Sequence, residues 1–126
     1  MPNGSAAAGF VQRHLAAGVA ALERGDVVEA EKEFLAALRL DPASADAHSD
    51  LAYVHATRRE FDAAVRENRE AVRLAPDRSD LMRNLGLALA WNGRTAEAVE
   101  VFRRVLELDP ADAEARRMLE QLSRSK

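Results

Sequence analysis

Apolar and small residues recur along this chain with the spacing of amphipathic helices, and the pattern breaks at regular places. From Val11 the spacing is carried by His14, Ala17, Gly18, Ala21 and Leu22. Gly25 predicts the end of that helix, because glycine takes the left-handed conformation that follows a helix C-cap. Asp26 with Glu29 is an acidic form of the capping box and predicts the next helix start. That second helix runs through Ala30, Phe34, Ala37 and Leu38 and stops at Asp41-Pro42, since the residue before proline is pushed out of the α region.

The same layout returns twice. Leu40-Asp41-Pro42, Leu74-Ala75-Pro76 and Leu108-Asp109-Pro110 recur at one constant interval. A fixed period of this kind predicts a stacked helical array instead of one globular core. Residues 1–10 read as a flexible lead-in, Met1 to Ser5, and the start of the first helix; blocks 11–44, 45–78 and 79–112 each hold two helices, and 113–126 holds a closing helix and tail. Short turns force consecutive helices into antiparallel pairs. The expectation is an all-α α-solenoid of seven helices, six paired and one closing, without strands. Small residues share one phase at Gly18, Ala52 and Gly86 and another at Ala30, Ala64 and Ala98, where helices approach closely. Glu120 falls in the first of these phases and blocks a further partner, so residues 113–123 should close the array, burying Leu119 and Leu122 and exposing Arg116, Arg117 and Arg124.

The middle block is less regular. Arg59 stands where Gly25 and Gly93 stand, and Asn68 where Phe34 and Phe102 stand. His55 and Asn68 are therefore expected to face each other as a buried hydrogen-bonded pair, and this block to be the softest.

These residues resemble the tetratricopeptide repeat (TPR) family, whose pattern is an aromatic, Leu-Gly, Tyr, Ala, Phe and Pro within one repeat. The first block carries Gly18, Ala30, Phe34 and Pro42; the second Leu51, Ala52, Ala64 and Pro76; the third Leu85, Gly86, Ala98, Phe102 and Pro110. The resemblance implies a right-handed solenoid of three TPR units, 11–44, 45–78 and 79–112, whose function lies on an extended concave surface.

Composition narrows the chemistry. There are no cysteines, so disulfides, thiol nucleophiles and cysteine zinc sites are excluded. A net charge of −3 disfavours a nucleic-acid partner. The arginines Arg58, Arg59, Arg66, Arg69 and Arg73 alternate with Glu60, Asp62, Glu67 and Glu70 as a mixed solvated face, and Glu29, Glu31 and Glu33 read as solvent-facing carboxylates at a helix start. His48 and His55 lie two turns apart, roughly 10 Å, too far to share a zinc whose ligands sit at about 2.0–2.1 Å. His14 and His48 instead fill the position where the family has a large aromatic. No phosphate loop or hydrolase motif is present, so no catalytic residue, cofactor or metal is assigned. No apolar run suits membrane insertion, and Met1 to Gly9 does not read as a signal peptide, which fits a cytoplasmic chain. The arginine excess over lysine, with abundant alanine, points to a GC-rich bacterial genome.

By resemblance, the first helix of each repeat lines the groove with Gln12, Leu15 and Val19, then Asp46, Asp50 and Tyr53, then Asp80, Arg83, Asn84, Leu87 and Trp91. The groove reads as an apolar floor with an acidic stripe of Asp46, Asp50 and Asp80. It implies a protein or peptide partner with apolar anchors and basic flanks. Family members that hold acidic chaperone tails do so with asparagines and basic residues; the matching positions here are Leu15, Val19, Asp50, Asp80 and Asn84, which lack such a set. A second surface is the stripe of Val28 and Leu35, which suits a homodimer or a neighbouring domain. The leading expectation is a non-enzymatic adaptor. The alternatives are a substrate-docking part of a larger bacterial enzyme or envelope-assembly protein, and a homo-oligomeric scaffold.

Overall fold

A computed structural model describes residues 4–124, with side chains from Ala6 to Arg124. Helices α1 (Gly4–Glu23), α2 (Val27–Leu40), α3 (Ala45–Thr57), α4 (Phe61–Leu74), α5 (Ser79–Trp91), α6 (Thr95–Leu108) and α7 (Ala113–Arg124) follow in order, with no strand among the described residues. The first helix begins at Gly4, earlier than the expected lead-in allows, while residues 1–3 and the last two of the tail lie outside the described residues. Each helix packs on the next, and α1–α3 and α3–α5 also touch, so the odd helices form one continuous face. The described chain is an all-α solenoid.

The helix ends have local causes. Within each of the first three pairs, the turn is a Schellman motif: the N–H groups of Asp26, Glu60 and Arg94 donate to the carbonyls of Ala21, His55 and Leu89. The left-handed residue is Gly25 (φ 79°), Arg59 (φ 61°) or Gly93 (φ 76°). The middle pair thus places an arginine where the backbone favours glycine. Between pairs, α2, α4 and α6 end two residues before Pro42, Pro76 and Pro110. Ser44 Oγ and Asp112 Oδ1 then cap α3 and α7 through the N–H groups of Ala47 and Ala115. At the equivalent position before α5, Arg78 gives no side-chain cap.

The core divides at the middle pair. One cluster joins Val11, Leu15, Phe34, Leu51 and Val54; the other joins Ala52, Val65, Met82, Leu85, Leu89, Phe102 and Val105. Phe34 and Phe102 are wholly buried, each against a glycine. A methyl group on Gly18 would overlap the Phe34 ring, and one on Gly86 would come 2.8 Å from Phe102 Cε1. In the middle pair both partners change together, to Ala52 and Asn68. The closing helix α7 packs Leu119 and Leu122 on the second cluster and leaves Glu120, Arg116, Arg117 and Arg124 exposed.

Candidate functional site: the groove of the odd helices

The odd helices carry two adjoining depressions that share Asp50. The first is lined by Gln12, Leu15, Val19, Asp46 and Asp50, together with Ala16, Ala20 and Glu23. The second, of about 250 Å³, takes Asp50, Tyr53, Asn84, Leu87 and Trp91, and extends past Ala52 and Ala56 to Asn68 on α4. Tyr53 is 54% and Trp91 51% exposed, so both aromatics present ring surface to solvent. Trp91 also leans on Phe61, with ring centroids 6.4 Å apart, a separation typical of paired aromatic rings.

The remaining expected groove residues differ in what they offer. Leu15 is only 7% exposed and packs in the first core cluster, so it is a core residue with an edge on the groove rather than a free anchor. The acidic stripe is not a row of free carboxylates. Arg78 spans Asp46 and Asp80, its Nη1 donating to Asp46 at 2.9 Å and its Nη2 to Asp80 at 2.7 Å. Hydrogen bonding from Arg78 holds the Asp80 carboxyl below its ordinary value. Arg83 turns toward α7, where Nη1 donates to the buried Asp112 at 2.6 Å and Nε lies 3.3 Å from Glu114. Asp50 alone in the stripe has neither an ion pair nor a hydrogen bond among the described residues. Burial, with the Asp46 charge adding to it, pushes its carboxyl up to about 6.

Asn68, expected to pair with His55, bonds elsewhere. His55 Nδ1 lies 2.8 Å from Glu60 Oε1. Asn68, 4% exposed, donates its Nδ2 to the Asn84 carbonyl at 3.4 Å, and its Oδ1 has no partner. The expected His55–Asn68 hydrogen bond does not form, because α5 supplies a carbonyl within reach and the Glu60 turn claims the imidazole. Asn84 in turn donates its Nδ2 to Ser49 Oγ at 3.1 Å.

His14 and His48 occupy equivalent positions, and each meets a glutamate from the second helix of its pair: His14 Nδ1 lies 2.7 Å from Glu33 Oε1, and His48 Nδ1 2.7 Å from Glu67 Oε1. Glu33 is therefore not the solvated carboxylate expected of it, and the His14 hydrogen bond holds it below its ordinary value. Glu31 likewise accepts from Arg58, just past the end of α3, at 2.9 Å. The shared spacing of His14 to Glu33 and His48 to Glu67 was the sequence signal for these bonds. On α2, Val28 (65%) and Leu35 (38%) are exposed, and no described element covers the stripe.

A tetratricopeptide repeat family model matches residues 15–79 and 58–113. The chain belongs to the tetratricopeptide repeat family, whose domains are generally non-catalytic protein-interaction modules. It is 36% identical over 90 residues to the type IV pilus assembly protein PilF of Pseudomonas aeruginosa, an alignment covering 71% of this chain and 34% of that protein. It thus spans about a third of the length of that curated relative. Among solved structures, the Thermobaculum terrenum O-GlcNAc transferase superimposes with a TM-score of 0.88 at 24% identity, over 97% of this chain and 23% of that one. The first TPR of Spaghetti (RPAP3), bound to an HSP90 peptide, superimposes at 0.85 with 23% identity, over 90% and 92% of the two chains. The second TPR domain of human RPAP3, in complex with an HSP70 peptide, gives 0.85 at 20% identity over 93% and 98%. At identities this low, the superpositions establish the common fold alone. Among the described residues, no helix is long and apolar enough to cross a membrane.

Proposed function

We propose that this protein is a non-enzymatic adaptor that holds a peptide or partner helix in the groove of its odd helices. We read the chain as three repeat units, 11–44, 45–78 and 79–112, with the closing helix after them. The observation that carries the reading is the convergence of Tyr53 and Trp91, both half-exposed, on one depression with Leu87. Aromatic residues of this kind are the usual anchors of protein interfaces. Val19, 41% exposed, extends the apolar floor toward the first pair. Because Arg78 occupies Asp46 and Asp80, attraction of a basic flank falls to Asp50. Affinity is modest, since a short segment loses its own conformational freedom on binding.

The test is capture of partners from native cell extract, followed by titration of an identified one. A Tyr53→Ala/Trp91→Ala variant should lose binding, and Arg69→Ala on the opposite face should keep it. Binding sensitive only to a Leu35 change would replace the groove with the Val28/Leu35 stripe and a homodimer or scaffold role. Acidic chaperone tails should not bind, because Leu15 and Val19 offer no donor and Asp50 presents an unpaired carboxylate. Micromolar binding of such a tail by calorimetry would overturn that expectation. A second reading, a docking segment within a longer envelope-assembly protein, is favoured by the identity to PilF. Recovery of pilus-assembly components in the same capture supports it.

A further inference from the structure

The depression beneath Tyr53 and Trp91 owes its depth to a substitution inside the middle pair. In the first and third pairs, Phe34 and Phe102 fill the space against Gly18 and Gly86. In the middle pair that position is Asn68, a shorter side chain, opposite Ala52. The unfilled volume adjoins the groove, so the cavity of about 250 Å³ reaches from Tyr53 and Trp91 down to Asn68.

The polar groups in this cavity are unbalanced. Asn68 Nδ2 is engaged by the Asn84 carbonyl, and Asn84 Nδ2 by Ser49 Oγ. A carbonyl can bond only a donor, so the Asn68 amide is oriented with Oδ1 as its free atom. That oxygen is buried without a partner, and the Asp50 carboxylate is unpaired. Buried acceptors without donors are unfavourable, and a native chain keeps few of them. Each amide nitrogen thus already has a partner, while Asn68 Oδ1 and the Asp50 carboxylate have none. The group that fits is a donor with no acceptor of its own, carrying positive charge to match Asp50.

We propose that this cavity is a socket for an arginine side chain of the bound partner. The proposal rests on the groove reading above and names its central contact. The methylenes lie along Ala52, Ala56 and Leu87, and the guanidinium reaches Asp50 and Asn68 Oδ1. Arginine fits better than lysine for two reasons. Its planar fork carries five donors and serves acceptors on two walls at once, whereas an ammonium is a compact, strongly hydrated point charge. Its guanidinium is also more weakly hydrated than an ammonium, so it leaves water for the cavity at lower cost. The bond from Asn68 to Asn84 is long at 3.4 Å, so the amide turns toward an incoming donor at little cost.

The probe is N-acetyl-arginine methylamide, titrated into the isotope-labelled full chain and followed by NMR. Its citrulline and lysine counterparts are the controls. We expect shifts concentrated on the Trp91 indole and the Asn68 and Asn84 side-chain amides. The uncharged citrulline should bind about tenfold more weakly, because it brings an acceptor and no charge. Ala52→Gly/Asn68→Phe, which rebuilds the packing of the outer pairs, should abolish the shifts while the chain remains folded. Equal binding of citrulline and arginine, or arginine shifts surviving in that filled variant, would overturn the socket. The groove reading is separable. A partner peptide lost with Tyr53→Ala but indifferent to the filled variant refutes the socket and leaves the groove standing. Arginine shifts without any partner sensitivity to Tyr53 or Trp91 refute the groove and, with it, the assignment of that arginine to the partner.

Discussion

The outer helix pairs and the middle pair solve the same packing problem differently. The outer pairs join a glycine to a phenylalanine, Gly18 with Phe34 and Gly86 with Phe102, and the ring sits where any Cβ would stand. The middle pair sets Ala52 opposite Asn68 and leaves an amide oxygen unpaired. The outer pairs turn through Gly25 and Gly93; the middle pair turns through Arg59 at φ 61°. Three substitutions thus concentrate in one pair, and two of them, Asn68 with its unpaired oxygen and the left-handed Arg59, cost stability. The same pair holds the base of the depression beneath Tyr53 and Trp91. Packing quality and surface recess trade against each other here: a ring that completes the core also closes the recess.

The largest effect should come from breaking an outer pair. Gly18→Ala forces a methyl group into the Phe34 ring and should destabilise the chain by about 2–3 kcal/mol in urea unfolding. A near-neutral result would mean that the ring has room to move. The reverse experiment is Ala52→Gly/Asn68→Phe in the middle pair. A buried phenylalanine contributes roughly 1.5–3 kcal/mol, and a glycine within a helix costs about 1 kcal/mol. The unpaired amide also disappears. The variant should gain about 1–2 kcal/mol, and a loss would sink the claim that the middle pair is underpacked.

Asp50 gives the comparison a pH axis. Its folded-state carboxyl titrates at about 6, against an ordinary 3.8. The folded chain therefore holds the extra proton between those values. The contribution to stability is full below about pH 4 and is lost as the pH rises through about 6. Asp50→Asn cannot ionise. It should match the parent at about pH 4 and exceed it by about 1 kcal/mol at neutral pH, a figure discounted for the solvent that still reaches the carboxylate. A gain independent of pH would mean that the carboxyl is not desolvated. Arg59→Gly should add somewhat less, about 0.5–1 kcal/mol, by relieving the left-handed backbone. In the parent, amide exchange should be fastest in α3 and α4; faster exchange elsewhere between α1 and α6 would show that the softness lies outside the middle pair.

Much of this contrast was legible in the sequence, because it follows from backbone rules. The prolines set the ends of α2, α4 and α6, the glycines set the turns, and the in-phase Gly18, Ala52 and Gly86 marked the close helix approach. The misfit of Arg59 and Asn68 was visible for the same reason. What was not legible depends on where long or branched polar side chains reach. Helical phase put Asn68 opposite His55, but Asn68 donates to the Asn84 carbonyl on the next pair and Glu60 took the imidazole. Phase also put Leu15 on the groove without saying how deep it sits. The acidic stripe failed as a free surface because of Arg78, a turn residue whose length carries its charge across to α3.

That arginine supplies the smallest but most discriminating effect. Ser44, Arg78 and Asp112 hold equivalent positions before α3, α5 and α7, and only Arg78 lacks a capping hydrogen bond. Arg78→Ser should restore a cap worth about 1 kcal/mol. It also removes an ion-pair cluster with Asp46 and Asp80 whose side chains are largely solvated, and such exposed pairs contribute about 0–1 kcal/mol. The two changes nearly cancel, so the unfolding midpoint should hardly move. The groove's electrostatics should change instead. Freed Asp46 and Asp80 would restore a three-carboxylate stripe around Asp50, so binding of an arginine-bearing peptide should tighten at low ionic strength and weaken more steeply with added salt. A salt dependence equal to that of the parent would show that Arg78 does not screen the groove, and that the difference between the middle and outer pairs is one of packing alone.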